Sequence, residues 1–234
     1  ILTSGHEVRY KDDPDWVGHS YILHDFGDYK IIDSAQQLDE NQFTNQANDR
    51  DLMIFSFYPT KPVGSVDGGM IVSNDKKKID RLKTLSRYGT NFEDNSWERK
   101  FILPGWKLYM NSIQAYVALQ NFNKLQNKTQ RFDEIRQIYN QEFGLNNTSR
   151  HLYRMRTRNR DKFIDTMNSK GIQCGIHYKS VHDVGCYRSA FCDPLPLSEL
   201  ESNTTVSIPF HEMLTSEEIE TIIKEVNNVK TLWK

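Results

Sequence analysis

Apolar positions fall in short blocks separated by polar stretches, and the period changes along the chain. Lys30-Ile31-Ile32-Asp33 reads as a short buried strand ending in an acid. Leu52 to Phe57 predicts a second strand and Gly69 to Val72 a third. Asn74 is placed to cap a helix running to Tyr88, in which Ile79, Leu82 and Leu85 recur at helical spacing. Met110 to Gln126 predicts a helix with Ile113, Val117, Phe122 and Leu125 near one face, and Gln130 to Phe143 predicts another. Residues up to about Gly27 are expected to be irregular, with Asp12-Asp13-Pro14-Asp15 as a turn cluster. The polar stretch Gln36 to Arg50 and the aromatic stretch Trp97 to Pro104 are expected to be loops.

After Gly144 the pattern shortens. Leu152 to Arg156 predicts a strand, Arg160 to Lys170 a helix stopped by Gly171, and Ile172 to Tyr178 and Val206 to Ile208 two more strands. Thr215-Ser216-Glu217-Glu218 is a capping box that opens the last helix. This order predicts an α/β chain in two domains. Residues 1–129 form a partial large domain with a mostly parallel sheet, and residues 130–234 a small α+β domain. No repeat or heptad pattern interrupts it.

The 234 residues are 37% hydrophobic and 12% aromatic, which supports a packed core and not a disordered chain. A formal net charge of -1 argues against nucleic acid as the main partner. No apolar run is long enough to cross a bilayer, and no signal peptide is visible. The three cysteines, Cys174, Cys186 and Cys192, form no Cys-x2-Cys pair, which favours a reducing cytoplasm over a disulfide framework. The sequence opens on Ile1 and so is expected to be processed, trimmed or a fragment.

The densest chemistry lies in Ser56-Phe57-Tyr58-Pro59-Thr60-Lys61 followed by Gly64, Gly68 and Gly69. A serine ending a strand, a proline-stiffened loop and one lysine are what an aldehyde cofactor with a phosphate needs: an amine for a Schiff base and a hydroxyl for the phosphate. Asp33 ends its own strand. In an open α/β sheet ligands bind beyond the carboxyl ends of the strands, so Asp33, Ser56 and Lys61 are expected in one crevice. An aspartate facing a pyridine nitrogen keeps it protonated, which makes the ring an electron sink. The cofactor this chemistry indicates is pyridoxal 5'-phosphate. Each residue also has a structural reading: Asp33 as a turn cap, Lys61 as an exposed loop lysine, Ser56 as a serine satisfied by the next turn.

Asp33-Ser34-Ala35-Gln36, Ser56-Phe57…Lys61…Gly68-Gly69, Arg87-Tyr88-Gly89 and Pro104-Gly105-Trp106-Lys107-Leu108-Tyr109-Met110 then follow one another. Further along come Gly171-Ile172…His177-Tyr178…His182, Leu195-Pro196…Glu199 and Ser207-Ile208-Pro209. In this order they resemble the DegT/DnrJ/StrS-type sugar aminotransferases, from about residue 17 to the end. The resemblance implies a three-layer pyridoxal-phosphate-transferase-like fold and transfer of an amino group, from glutamate, to a keto group of a nucleotide-linked sugar. It implies Lys61 as the catalytic Schiff-base lysine, Asp33 on the ring nitrogen, Ala35 against the ring, Gln36 near its hydroxyl and Ser56 on the phosphate. It also implies a homodimer in which Gly105 to Met110, with Lys107, reaches the partner's phosphate. His177 and His182 are expected on the substrate side. Two departures stand out. Many members carry asparagine where Lys107 stands and arginine or asparagine where Tyr109 stands. The family's N-terminal glycine-threonine anchor and stacking aromatic have no match, and Trp16 and Tyr21 are read as packing residues. An upstream segment, in cis or as a second chain, is therefore expected to complete the cofactor site.

Two further features compete for a role. Cys174, His177, His182, Cys186 and Cys192 have a zinc-like look, and a zinc-stabilised binding module is one alternative; the preferred expectation is no metal and buried cysteines. Arg150, Arg154, Arg156, Arg158 and Arg160 alternate along a predicted strand and are expected to form a solvated face, with nucleotide binding as the alternative. A non-catalytic relic of the family is the remaining alternative.

Overall fold

The computed structural model describes residues 5, 7–91, 95–187 and 193–234, apart from the side chains of Ser96, Asp183 and Cys186. The chain forms two compact units: one is His19–Asn127, the other joins the described residues up to Gly18 to Lys128–Lys234. The single boundary at 129/130 does not provide for this return of the N-terminal stretch to the C-terminal unit. Asp12 shows the reason, since its carboxylate accepts hydrogen bonds from the Leu197 amide at 3.0 Å and the Ser198 amide at 2.7 Å.

The unit of residues 19–127 is built on a four-stranded sheet in the order β1 (Tyr21–Asp25), β2 (Lys30–Asp33), β3 (Leu52–Ser56), β4 (Gly69–Val72). Only β2 and β3 are parallel; β1 pairs with β2 and β4 with β3 antiparallel. The sheet is thus mixed and not mostly parallel. A short turn at Phe26–Tyr29 returns the chain from β1 to β2, and only the β2–β3 connection is a crossover. β1 itself replaces an expected irregular stretch. Its Ile22 and Leu23 are exposed, so it has no burial alternation to reveal it.

Alternation in β3 is clear. Met53 and Phe55 are buried and join Ile32, Phe57, Val63 and Ala118 in the core of this unit. The crossover carries α1 (Gln42–Gln46), a helix in the expected loop. It is missed by pattern because its buried residue is polar: Gln42 donates to Ser20 Oγ at 2.8 Å and Ser34 Oγ at 3.1 Å. α2 (Lys76–Ser86) is capped by Asp75, one residue later than expected, which accepts from the Lys78 amide at 3.1 Å. α3 (Ser112–Phe122) opens with a capping box of Asn111 and Gln114. α4 (Leu125–Phe143) follows.

In the other unit, β5 (Tyr153–Arg156) pairs antiparallel with β6 (Thr205–Ile208). α5 (Arg160–Ser169), α6 (Pro196–Thr204) and α7 (Ser216–Asn228) complete it. Tyr139, Phe143, Tyr153, Phe163, Met167 and Val226 are all 0% exposed and form its core. Both halves of the Thr215/Glu218 capping box are present. The expected strand at 172–178 is not formed. The Ile172 amide is held by Met167 O at the end of α5, and only Gly175 bridges to Ser207.

Phe143 meets Tyr139, Tyr153 and Trp233 at ring-centroid distances of 5.6, 6.2 and 5.8 Å. Phe143→Ala should therefore lower unfolding stability by about 3–5 kcal/mol, and Thr215→Ala by about 1 kcal/mol through loss of the cap. Urea denaturation followed by tryptophan fluorescence measures both.

Candidate active site

Register sets the site. In the parallel pair Ile32 stands beside Met53 and Asp33 beside Ile54. Ile32, Met53 and Phe55 point into the core, so the period of two puts Asp33, Ile54 and Ser56 on the opposite face. Asp33 and Ser56 are the last residues of their strands. They therefore share one face at the carboxyl edge of the only parallel pair in this sheet.

Asp33 is held at both oxygens. Ala35 N–H donates to Oδ1 at 2.9 Å and the Tyr21 hydroxyl to Oδ2 at 3.1 Å. Tyr21 stands directly opposite Asp33 on β1. The reading of Tyr21 as a packing residue is therefore incomplete, because its phenol is a polar partner of the key acid. Burial, then the charge of Asp33 and the bond to it, raise the Tyr21 pKa above the ordinary tyrosine range. Ala35 is half-buried and Gln36 is buried just beyond.

Ser56 Oγ accepts from the Tyr58 amide at 3.2 Å, which leaves the hydroxyl hydrogen to donate. Gly69 stands opposite Ser56 on β4, and a Cβ there would lie 2.6 Å from Phe55 O. Glycine is thus required at that rung, and no side chain crowds the serine from it.

Lys61 lies on the loop from β3 to β4. Its amide closes a turn onto Tyr58 O at 2.9 Å. Farther along, Ser65 N bonds Phe57 O at 2.8 Å, and Ser65 Oγ bonds Gln114 O of α3 at 2.7 Å. Asn121 of α3 also donates to Gly64 O. The loop is pinned at its base while Lys61 itself is half-buried. Burial lowers the Lys61 pKa, and the negative charge of Asp33 opposes this without cancelling it. Asp33 and Lys61 thus interact electrostatically within one unit.

Lys107 is exposed on a segment strapped across the end of α2, where Trp106 N bonds Leu85 O at 2.7 Å and Leu108 N bonds Ser86 O at 2.9 Å. The close approach depends on Gly89 (φ +75), where a Cβ would fall 1.7 Å from Leu103 O. His177 and His182 belong to the other unit. His177 Nδ1 lies 2.9 Å from Ser207 Oγ and His182 Nε2 lies 3.3 Å from Glu199 Oε1.

The arginine run finds hydrogen-bond and ionic partners within its own unit, while Arg156 and Arg158 remain exposed, as expected of a solvated face. Arg150 binds Asp133 through two bonds of 2.8 Å, and that contact, with Arg136 beside it, holds the Asp133 carboxyl below the usual range. Arg154 donates to Glu201 at 2.8 Å, and Arg156 binds the same carboxylate. Arg158 and Arg160 donate to the carbonyls of Lys234 and Ser202. Among the described residues no group of three or more His, Cys, Asp or Glu is arranged for a metal. Cys174 packs against the apolar core of its unit, and burial pushes its thiol up to about 11, away from the thiolate a metal prefers. Cys192 and the side chain of Cys186 lie outside the described residues.

Asp33 and Ser56 stand at one strand edge, and Lys61, of lowered basicity, lies on the loop that follows; these are the groups to set against pyridoxal phosphate, the cofactor indicated by the sequence. The donor set fits that cofactor: an acceptor for a ring N–H, a donor for a phosphate and an amine for an aldehyde. The model of the DegT/DnrJ/EryC1/StrS aminotransferase family matches residues 31–227, and the chain belongs to that family. It is similar to the uncharacterized protein MJ1066 of Methanocaldococcus jannaschii, with 26% identity over 89% of this chain and 61% of that protein. It is also similar to the UDP-4-amino-4,6-dideoxy-N-acetyl-beta-L-altrosamine transaminase of Campylobacter jejuni, with 25% identity over 69% of this chain and 48% of that enzyme. Among solved structures, a DegT DnrJ EryC1 StrS aminotransferase from Brucella abortus superposes with a TM-score of 0.69 and 26% identity, covering 76% of this chain and 50% of that one. The aminotransferase TlmJ from Streptoalloteichus hindustanus shares the fold with a TM-score of 0.74 and 23% identity, over 86% of this chain and 58% of that one. The chain thus spans 61% and 48% of the two curated relatives.

The Lys61 environment has a measurable sign. Its titration midpoint, read by competitive amine acetylation and mass spectrometry, should lie below the ordinary lysine range. Asp33→Asn removes the opposing charge and should lower it further. A midpoint that rises in Asp33→Asn contradicts the electrostatic coupling.

Proposed function

We propose that this chain is a pyridoxal-phosphate-dependent aminotransferase that moves an amino group, from glutamate, to a keto group of a nucleotide-linked sugar. Asp33 and a half-buried Lys61 of lowered basicity, electrostatically coupled in one unit, carry this reading. The family membership and the sugar-nucleotide transaminase among the relatives support the substrate class.

When bound, the cofactor supplies an aldehyde for amine exchange and a protonated ring that withdraws electrons. Asp33 accepts the ring N–H, held in place by Ala35 and Tyr21. Ser56 donates its hydroxyl to the phosphate, Ala35 lies against the ring and Gln36 is near the ring hydroxyl. Lys61 Nζ, made less basic by burial, would carry the proton taken from the donor's α-carbon to the cofactor's aldehyde carbon, and in the second half of the cycle would carry one from there to the sugar carbon that receives the amine. His177 and His182 contribute on the substrate side.

A second copy of the chain contributes to the site, with Lys107 of each protomer reaching the other's phosphate. Support for a homodimer comes from exposed apolar side chains. Ile113, Tyr116, Leu119 and Phe122 recur along α3, and Trp106 and Leu108 lie beside Lys107 in sequence; all six are more than half exposed. Patches of this kind mark interaction surfaces. No helix among the described residues is long and apolar enough to cross a membrane. The cytoplasm is the proposed compartment.

The direct test is the glutamate half-reaction, read as 2-oxoglutarate formed with pyridoxal phosphate present. Lys61→Ala should abolish it while circular dichroism stays unchanged. Asp33→Asn should slow it by about 100-fold or more, with a smaller loss of cofactor affinity. Cofactor binding without 2-oxoglutarate formation in the unmodified chain would favour a non-catalytic relic. Undiminished turnover in Asp33→Asn would reduce Asp33 to a turn cap.

A further inference from the structure

β1 brings a phenol to Asp33. Tyr21 and Asp33 are cross-strand partners and share one face of the sheet. The Tyr21 hydroxyl donates to Oδ2 at 3.1 Å while the Ala35 amide donates to Oδ1 at 2.9 Å. One donor on each oxygen fixes the plane of the carboxylate and prevents its rotation about the Cβ–Cγ bond. An ionised carboxylate offers about four lone-pair sites. These two bonds leave both oxygens with acceptor capacity for a ring N–H.

The rung itself is tied down. Ser20 precedes Tyr21 and Ser34 follows Asp33, and their hydroxyls lie 2.7 Å apart. Gln42 donates to both hydroxyls, at 2.8 and 3.1 Å. Gln37 Oε1 accepts from the Ser20 amide at 2.9 Å. The polar cluster locks β1 to the start of the crossover beside the Tyr21–Asp33 pair. The phenol is therefore presented to the carboxylate by backbone and side-chain bonds on neighbouring residues, and does not depend on its own rotamer alone.

We propose that Tyr21 is a positioning residue for the cofactor ring: through its hydroxyl it orients the Asp33 carboxylate toward the ring nitrogen. This rests on the reading of Asp33 as the acceptor of that nitrogen's proton. Loss of the hydroxyl leaves Oδ2 without its fixed donor and the carboxylate free to turn, so the bond to the ring nitrogen weakens. A loss confined to a ring that carries the nitrogen separates positioning from general support of the fold.

The test compares pyridoxal phosphate with its analogue carrying a C–H in place of the ring nitrogen. Each is titrated by absorbance and fluorescence into the full chain as wild type, Tyr21→Phe and Asp33→Asn. Tyr21→Phe keeps the aromatic ring in the β1–β2 ladder and should retain the circular dichroism spectrum. Wild type should prefer the natural cofactor. Tyr21→Phe should lose about 10-fold of affinity for pyridoxal phosphate and none for the analogue, and Asp33→Asn should abolish the preference. A Tyr21→Phe protein that weakens for both probes equally, or for neither, overturns the role of Tyr21. A wild type that does not distinguish the probes, or an Asp33→Asn protein that still does, overturns instead the reading of Asp33 on which the inference rests.

Discussion

The parallel pairing of β2 with β3 is the contact on which the site depends. It aligns the carboxyl ends of two strands, and its register places Asp33 beside Ile54 with Ser56 two residues beyond. Because side chains alternate with a period of two, a slip of one residue in β3 would send Met53 and Phe55 out of the core and Ser56 into it. The buried faces of Ile32, Met53 and Phe55 hold the register. The hydrophobic core of the unit thus specifies the geometry of the polar groups on the opposite face.

Lys61 shows how competing effects are resolved. Its loop is pinned to α3 through Gly64 and Ser65, so the lysine stays half-buried and not free in solvent. Burial disfavours the ammonium and Asp33 favours it. Burial wins, and the amine is less basic than an ordinary lysine. Elsewhere the charges serve structure. Glu201 receives both Arg154 and Arg156, and Asp133 receives Arg150, so these arginines are ion-paired within their own unit.

Elements with a buried apolar face were legible in the sequence: β2, β3, β5, β6, α5 and α7 lie where the periodicity predicts them, while α4 begins at Leu125, five residues before the expected start. The serine-to-glycine stretch at 56–69 and the family motifs were legible because backbone constraints such as the one at Gly69 leave little choice of residue. What escaped has physical reasons. β1 exposes Ile22 and Leu23, so no alternation marks it. α1 buries Gln42, whose amide is satisfied by Ser20 and Ser34, and hydropathy cannot reveal a polar residue made buriable by its partners. The 172–178 stretch has strand-like composition, but closure of α5 onto Ile172 takes up the first amide. Tyr21 lies 12 residues before Asp33 in sequence, a separation that hides a cross-strand pair.

Lys61 is the amine proposed to meet the cofactor's aldehyde. Incubation of the chain with pyridoxal phosphate, reduction with borohydride and peptide mapping by mass spectrometry tests it most directly. A single dominant adduct on Lys61, absent from Lys61→Ala, is expected. A dominant adduct on another lysine, such as Lys107, or labelling spread evenly over the exposed lysines, would contradict it.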